Sequence, residues 1–71
     1  MRYAIVLAKG ATSYGASVPD LPGCVAVGET LEEAKDLIQE AMTLHLAGRR
    51  AEGLSIPEPT TLCAYGEVTA S

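Results

Sequence analysis

Two cysteines, one histidine and nine acidic residues are among the side chains of this 71-residue chain that could take part in catalysis. A catalytic thiol would need His45 within hydrogen-bond reach of a partly exposed cysteine. Cys24 and Cys63 both lie in apolar runs, so we expect buried free thiols. His45 falls in the apolar sector of a predicted helix, which favours a core-edge or interface histidine over a general base. The cysteines and the histidine therefore predict no nucleophilic catalysis.

The acidic residues could instead hold metal ions, because nucleases of the two-metal type use a carboxylate cluster to bind two Mg²⁺ about 4 Å apart. The three predicted N-terminal strands contain no Asp or Glu. Most of the acids belong to the start and the polar face of a predicted helix, where exposure to solvent explains them. A structural zinc site would need four ligands, and the sequence has no CxxC motif. We expect no metal, no cofactor and no enzymatic activity.

Charge and composition indicate the kind of partner. A net charge of −4 argues against binding to nucleic acid, which depends mainly on Lys and Arg, and fits a basic partner. The chain is 48% hydrophobic but lacks Phe and Trp, so a single small core would not hide its apolar side chains and we expect a homo-oligomer. No signal peptide and no membrane-spanning run is recognisable, which predicts one cytoplasmic domain, residues 1–71, away from membranes.

Short apolar runs predict the strands. Residues 3–8, 14–18 and 24–28 are joined by short connections, which favours an antiparallel meander. The first run is apolar on both faces, as is typical of a strand that is central in its sheet or covered by a partner. Residues 62–68 predict a fourth strand, with an outer end polar enough for a sheet edge.

A capping box predicts a helix over residues 31–50. The Thr30 hydroxyl is expected to accept from the Glu33 N–H, and the Glu33 carboxylate to accept from the Thr30 N–H. Gly53 is the expected stop. Leu46 falls on the polar side, where it would be partly exposed or buried in an oligomer interface. One continuous sector collects Leu31, Ala34, Leu37, Ile38, Ala41, Met42, Leu44 and His45, which predicts that the helix packs on the sheet.

Two prolines and a glycine make residues 19–23 a stiff turn. Pro19 should end the second strand, and Gly23 can adopt the positive φ that such a corner needs. Asp20 fits two interpretations. It either accepts a hydrogen bond from the local backbone, or forms with Leu21 a rigid projection that meets a partner at low entropic cost.

Three stretches of this sequence resemble the N-terminal domain of HicB-family antitoxins: residues 18–24, residues 28–34 (Gly-Glu-Thr-Leu-Glu-Glu-Ala) and residues 56–59 (Ile-Pro-Glu-Pro). The resemblance runs over about residues 3–59. It implies a small α+β domain of β-β-β-α-β order, with one helix on an antiparallel sheet and a degraded ribonuclease H-like topology. Many members add a C-terminal DNA-binding segment, whereas this sequence ends 12 residues after Pro59, so we expect no operator binding.

The same resemblance implies a non-catalytic antitoxin that masks a small, basic, messenger-RNA-cleaving toxin of the HicA type by occlusion. We expect the partner to contact Asp20, Leu21 and Pro22 in the turn, and Glu29 and Glu32 near the helix start. The alternative is a solitary oligomeric domain with a structural or small-ligand-binding role and no toxin partner. A neighbouring reading frame for a short basic protein would favour the antitoxin.

Overall fold

The computed structural model describes residues 1–69 and contains three strands followed by one helix. Strand β1 spans Val6–Lys9, β2 spans Tyr14–Ser17, β3 spans Val25–Gly28, and helix α1 spans Leu31–Ala51. The strands form one antiparallel sheet in the order β1-β2-β3. Helix α1 packs on one face of this sheet, mainly against β3 and β2. The predicted α+β class and the β-β-β-α order are confirmed.

The predicted fourth strand is not formed. Residues 62–68 adopt neither helix nor strand, and no backbone hydrogen bond joins them to β1 within residues 1–69. Residues 61–65 pass beside residues 4–7, and these stretches line a groove of about 310 Å³. The prediction is wrong because an apolar, β-prone run favours an extended conformation, whereas a strand also needs a neighbour whose backbone groups it can bond. Strand β1 therefore lies at an edge of the sheet and β2 at its centre.

A small core lies between the sheet, the proline–glycine turn and the first half of α1. Leu21 and Ile38 are its largest fully buried side chains. Leu46 packs at its border and is partly exposed, as predicted, whereas Leu44, expected in the apolar sector, is 72% exposed and was wrongly placed. At 3.6 residues per turn, Leu46 lies about 80° around the helix from Ile38, and Leu44 lies about 120° away on the other side. The buried core residues are Ala16, Val18, Leu21, Cys24, Ala34 and Ile38.

Both ends of α1 are capped. The Glu33 N–H donates to the Thr30 hydroxyl at 3.1 Å, as predicted. The Glu33 carboxylate accepts from the Glu29 N–H at 3.2 Å, one residue before the predicted donor. At the other end Gly53 has φ of +73°, in the left-handed region, and its N–H donates to the Arg50 carbonyl at 3.1 Å. These contacts fix the helix within one residue of its predicted bounds.

A close contact sets the angle between β3 and α1. Gly28 ends β3 and is buried. A Cβ at this position would lie 2.6 Å from the backbone nitrogen of Ala34 and 3.0 Å from its Cα. The first turn of α1 can therefore lie against the end of β3 only because residue 28 has no side chain.

Candidate partner-binding surface

The proline–glycine turn closes on itself at one end of the sheet. The Val18 carbonyl accepts from the Leu21 N–H and the Leu21 carbonyl accepts from the Cys24 N–H, both at 3.0 Å. The Val18 N–H donates to the Cys24 carbonyl at 3.2 Å. Gly23 has φ of +83°, as the corner was predicted to need. Pro22 lies exposed at the surface of this turn.

Leu21 points inward from the turn. Its side chain is 0% exposed and belongs to the same core cluster as Val18 and Ile38. The prediction that Leu21 projects from the domain is therefore wrong. The sequence of a rigid turn does not fix whether its apolar side chain points to solvent or to the core. Here Leu21 points to the core, which has no Phe or Trp to fill it. Leu21 therefore anchors the turn in the core.

Asp20 binds a distant part of the chain. Its Oδ2 accepts from the backbone N–H groups of Thr60 and Thr61, both at 3.0 Å. Its Oδ1 accepts from the two threonine hydroxyls, at 3.0 Å for Thr60 and 2.8 Å for Thr61. These hydrogen bonds favour the charged carboxylate and lower the pKa of Asp20, with the Thr61 N–H as the largest cause. Asp20 therefore binds Thr60 and Thr61 in place of the backbone of its own turn, so the interpretation as a local backbone bond is wrong, whereas contact of Asp20 with a partner stays a prediction.

Two more side chains hold the segment that leads from α1 to these threonines. Arg49 Nε donates to the Ser55 carbonyl at 2.8 Å. The Tyr3 hydroxyl donates to the Pro57 carbonyl. We call residues 55–61 the strap, because these contacts and Asp20 fasten it to the rest of the domain. The sequence offered one weak signal for it, two adjacent threonines after a Pro-Glu-Pro run, and no indication of their partner.

Glu29 and Glu32 lie at the opposite end of β3 from the turn. Both are exposed, and Glu32 lies in the first turn of α1, where a negative charge favours the helix dipole. Six residues at about 3.3 Å each put about 20 Å between Gly23 and Glu29. The five predicted contact residues therefore form two groups. A partner that covers about 800 Å², a roughly round patch about 30 Å across, would reach both.

An acidic stripe extends the second group. Glu32, Asp36 and Glu40 are all exposed and follow one another at intervals of four residues on α1. Side chains at this spacing lie on one side of a helix. With Glu29 just before the helix, they form a row of carboxylates that we call the acidic stripe. The helical pattern predicted only a solvated face for Asp36 and Glu40, and neither was among the five predicted contact residues.

The other reactive side chains do not converge. Cys24 is buried, and burial raises the pKa of its thiol, whereas Cys63 is exposed; the prediction of buried thiols is right for Cys24 and wrong for Cys63. His45 is half-buried, and its Nε2 has no hydrogen-bond partner within residues 1–69. In the part of the chain that the structure describes, no group of three His, Cys, Asp or Glu residues could hold a metal. Among the described residues, no helix combines the length and the hydrophobicity that spanning a bilayer requires.

A capped helix on a three-stranded sheet, with a rigid turn at one end and a carboxylate row along the helix, defines a small α+β domain with surfaces suited to protein binding. The chain belongs to the HicB-like antitoxin family. Residues 3–69 match the family described as the HicB_like antitoxin of bacterial toxin-antitoxin systems. The sequence resemblance is thereby confirmed, and it extends past the strap.

Two relatives are similar to this chain in sequence. The chain is 35% identical over 65 residues to an uncharacterized 14.9 kDa protein of the rep-hol intergenic region of Haemophilus phage HP1, covering 92% of this chain and 49% of that protein. It is 42% identical over 50 residues to a UPF0150 protein of Helicobacter pylori, covering 70% of this chain and 69% of that protein. The chain thus spans about half the length of its phage relative.

Proposed function

We propose that this protein is a non-catalytic antitoxin that binds a small, basic, messenger-RNA-cleaving toxin of the HicA type and masks its active surface. The observation that carries the proposal is the family match over residues 3–69. Masking requires no catalytic group, only a surface that fits the toxin. A toxin of this kind meets messenger RNA in the cytoplasm, so the cytoplasm is the proposed location.

The acidic stripe is the part of the surface that would attract a basic toxin. Glu29, Glu32, Asp36 and Glu40 are exposed to solvent. Exposed charges of this kind act over about one Debye length, about 8 Å at physiological salt, and mainly raise the association rate. The stripe therefore contributes to encounter and orientation, and its effect on binding should decrease as salt increases.

The proline–glycine turn would supply the second contact. Pro22 is exposed, while Leu21 beneath it is buried and Asp20 beside it is hydrogen-bonded to the strap. The turn is therefore held in one shape before binding, which lowers the entropic cost of the complex. In this proposal Pro22 touches the toxin, whereas Asp20 and Leu21 position the turn.

The test is to look beside this gene for a reading frame that encodes a short basic protein, and to measure binding of this chain to that protein in a form inactivated by substitution. We expect Glu29→Gln and Glu32→Gln to slow association several-fold at low salt and to leave dissociation unchanged. Glu52→Gln is the matched control, since it removes the same charge at the other end of α1, about 30 Å from Glu32. Stopped-flow measurements at two salt concentrations separate the two rates.

The possible outcomes distinguish contact through the acidic stripe from an effect of net charge and from no toxin binding. A slower association for Glu32→Gln but not for Glu52→Gln supports contact through the acidic stripe. Equal effects of the two substitutions would show that only net charge matters. If the wild-type chain does not bind the basic neighbour, the antitoxin proposal fails and the solitary oligomeric module is favoured.

We also propose that the protein is a homo-oligomer. Only six residues of the described chain are buried apolar residues, whereas eleven large apolar side chains are exposed. Exposed apolar surface on this scale in a small domain is typical of an interface. The exposed set is Met1, Val6, Leu7, Val25, Val27, Leu31, Leu44, Leu54, Leu62, Tyr65 and Val68.

A further inference from the structure

The sheet face that is turned away from α1 has no cover within the described chain. Strand register places its residues opposite one another, Val6 with Ser17 and Ser17 with Val25, and likewise Ala8 with Gly15 and Gly15 with Val27. Val25 and Val27 are 65% and 66% exposed. We call this surface the outer face. The strand residues on this face are Val6, Ala8, Gly15, Ser17, Val25 and Val27.

The outer face carries no charge, although the chain has nine acidic residues and a net charge of −4. All nine acids lie in the turn, in the helix and its flanks, or after the helix, and none is on β1, β2 or β3. A basic toxin would therefore find no complementary charge on this face. An uncharged, apolar surface fits another apolar segment, and the same chain supplies one.

That segment follows the strap. Residues 62–69, which we call the tail, contain Leu62, Tyr65 and Val68, which are 90%, 100% and 94% exposed. Glu67 is the only charged residue among them. The strap contacts direct the tail past residues 4–7 of its own chain, yet the three large side chains gain almost no cover there.

The surface area that a stable interface needs indicates how the outer face and the tail combine. Three strands of four residues, at about 3.3 Å per residue and about 4.8 Å between strands, present only about 190 Å² in projection. A stable interface takes about 800 Å² from each partner. Two outer faces alone are therefore too small, and the exposed Leu62, Tyr65 and Val68 of the tail would enlarge the interface, the tyrosine alone by about 150–250 Å². The tail has to contribute.

We propose that two copies of this chain exchange their tails, so that the tail of each copy lies across the outer face of the other. Every contact then occurs twice about a two-fold axis, as in an isologous dimer. Tyr65 covers Val25 and Val27 of the other copy, and the acidic stripe stays free for the toxin. The arrangement rests on the proposed self-association and needs no toxin.

A cross-linking experiment tests the exchange directly. Cys63 is an exposed free thiol in the tail, and Cys24 is buried and not reactive. Val27→Cys places a second thiol on the outer face, and a disulfide forms only when the two Cα atoms come within about 7 Å. Under mild oxidation we expect an interchain dimer that reduction reverses. Leu44→Cys, at a position on α1 that is also exposed, is the matched control and should give no such dimer.

A mixed sample distinguishes exchange from folding back. When the Val27→Cys chain is oxidised together with a longer, tagged copy, exchange gives a product of intermediate mass. A disulfide within one chain, or equal cross-linking by Leu44→Cys, would overturn the proposal.

Sedimentation separates this arrangement from self-association in general. Val27→Glu and Tyr65→Ser should each weaken dimerisation by about tenfold or more, as loss of a central contact does, and Leu44→Glu should not. A wild-type chain that sediments only as a 7.4 kDa species would defeat both self-association and the exchange. A wild-type oligomer that is indifferent to Val27→Glu and Tyr65→Ser would leave self-association in place and rule out the exchange.

Discussion

Replacing Leu21 by alanine should strongly destabilise the domain. Leu21 is 0% exposed, and a Leu→Ala change at such a position costs about 2.7–5.0 kcal/mol through lost transfer free energy and the cavity left behind. A domain of this length has about 4–11 kcal/mol of stability in total. The substitution therefore removes a quarter or more of the free energy of unfolding.

Urea unfolding, followed by the helical circular dichroism signal of α1, measures this decrease in the free energy of unfolding. The expected decrease lowers Tm by about 10–40 °C, because 1 kcal/mol corresponds to about 4–8 °C in a domain of this size. Leu44→Ala is the matched control. It deletes the same atoms from a side chain that is 72% exposed, and should change stability by less than about 0.5 kcal/mol.

An equal effect of the two substitutions would refute the placement of Leu21 in the core. If Leu21 instead projected into a partner, Leu21→Ala would leave Tm unchanged and would speed dissociation of the toxin complex. Measuring both quantities on the same variant, with toxin binding at a temperature where it is still folded, separates a structural role from a contact role.

Four other outcomes follow from single contacts. The lowered pKa of Asp20 contributes stability above the ordinary value of 3.8 that is lost as pH falls through the folded-state pKa, so acid unfolding should be less pH-dependent in Asp20→Asn. Thr30→Ala should cost about 1 kcal/mol of unfolding free energy in a urea titration. Gly28→Ala should cost about 1–3 kcal/mol in the same assay, since its Cβ meets backbone of α1. In a thiol-labelling time course Cys63 should react quickly, and Cys24 only as the domain unfolds.

Local patterns predicted the elements whose stabilising contacts are close in sequence. Thr30 and Glu33 are three residues apart, so the cap of α1 could be predicted from the sequence, and it forms as expected except that Glu29 replaces Thr30 as the second donor. Gly23 likewise marks a corner by its own conformational freedom. Such signals depend only on a few neighbouring residues, so they can be recognised without knowing the rest of the fold.

Contacts between distant residues were the ones that the sequence did not reveal. Asp20 and Thr60 are 40 residues apart, and nothing in either local pattern selects the other. The inward direction of Leu21 and the lack of pairing of residues 62–68 were missed for the same reason. Both depend on which parts of the chain lie nearby in three dimensions. The separation of Pro22 from Glu29 has a different origin, because it follows from strand β3, which the sequence did predict.

The strap has a consequence for the order in which this domain opens. It is held largely by polar contacts from Tyr3, Asp20 and Arg49, whereas the sheet and α1 share the buried core. Segments with little buried apolar surface open locally at a lower free energy than the core does. Release of the strap would remove residues 61–65 from beside residues 4–7, and the unpaired edge of β1 would then be accessible to other chains. Hydrogen exchange at Thr60 and Thr61 would therefore report how often the molecule visits an aggregation-prone form without unfolding.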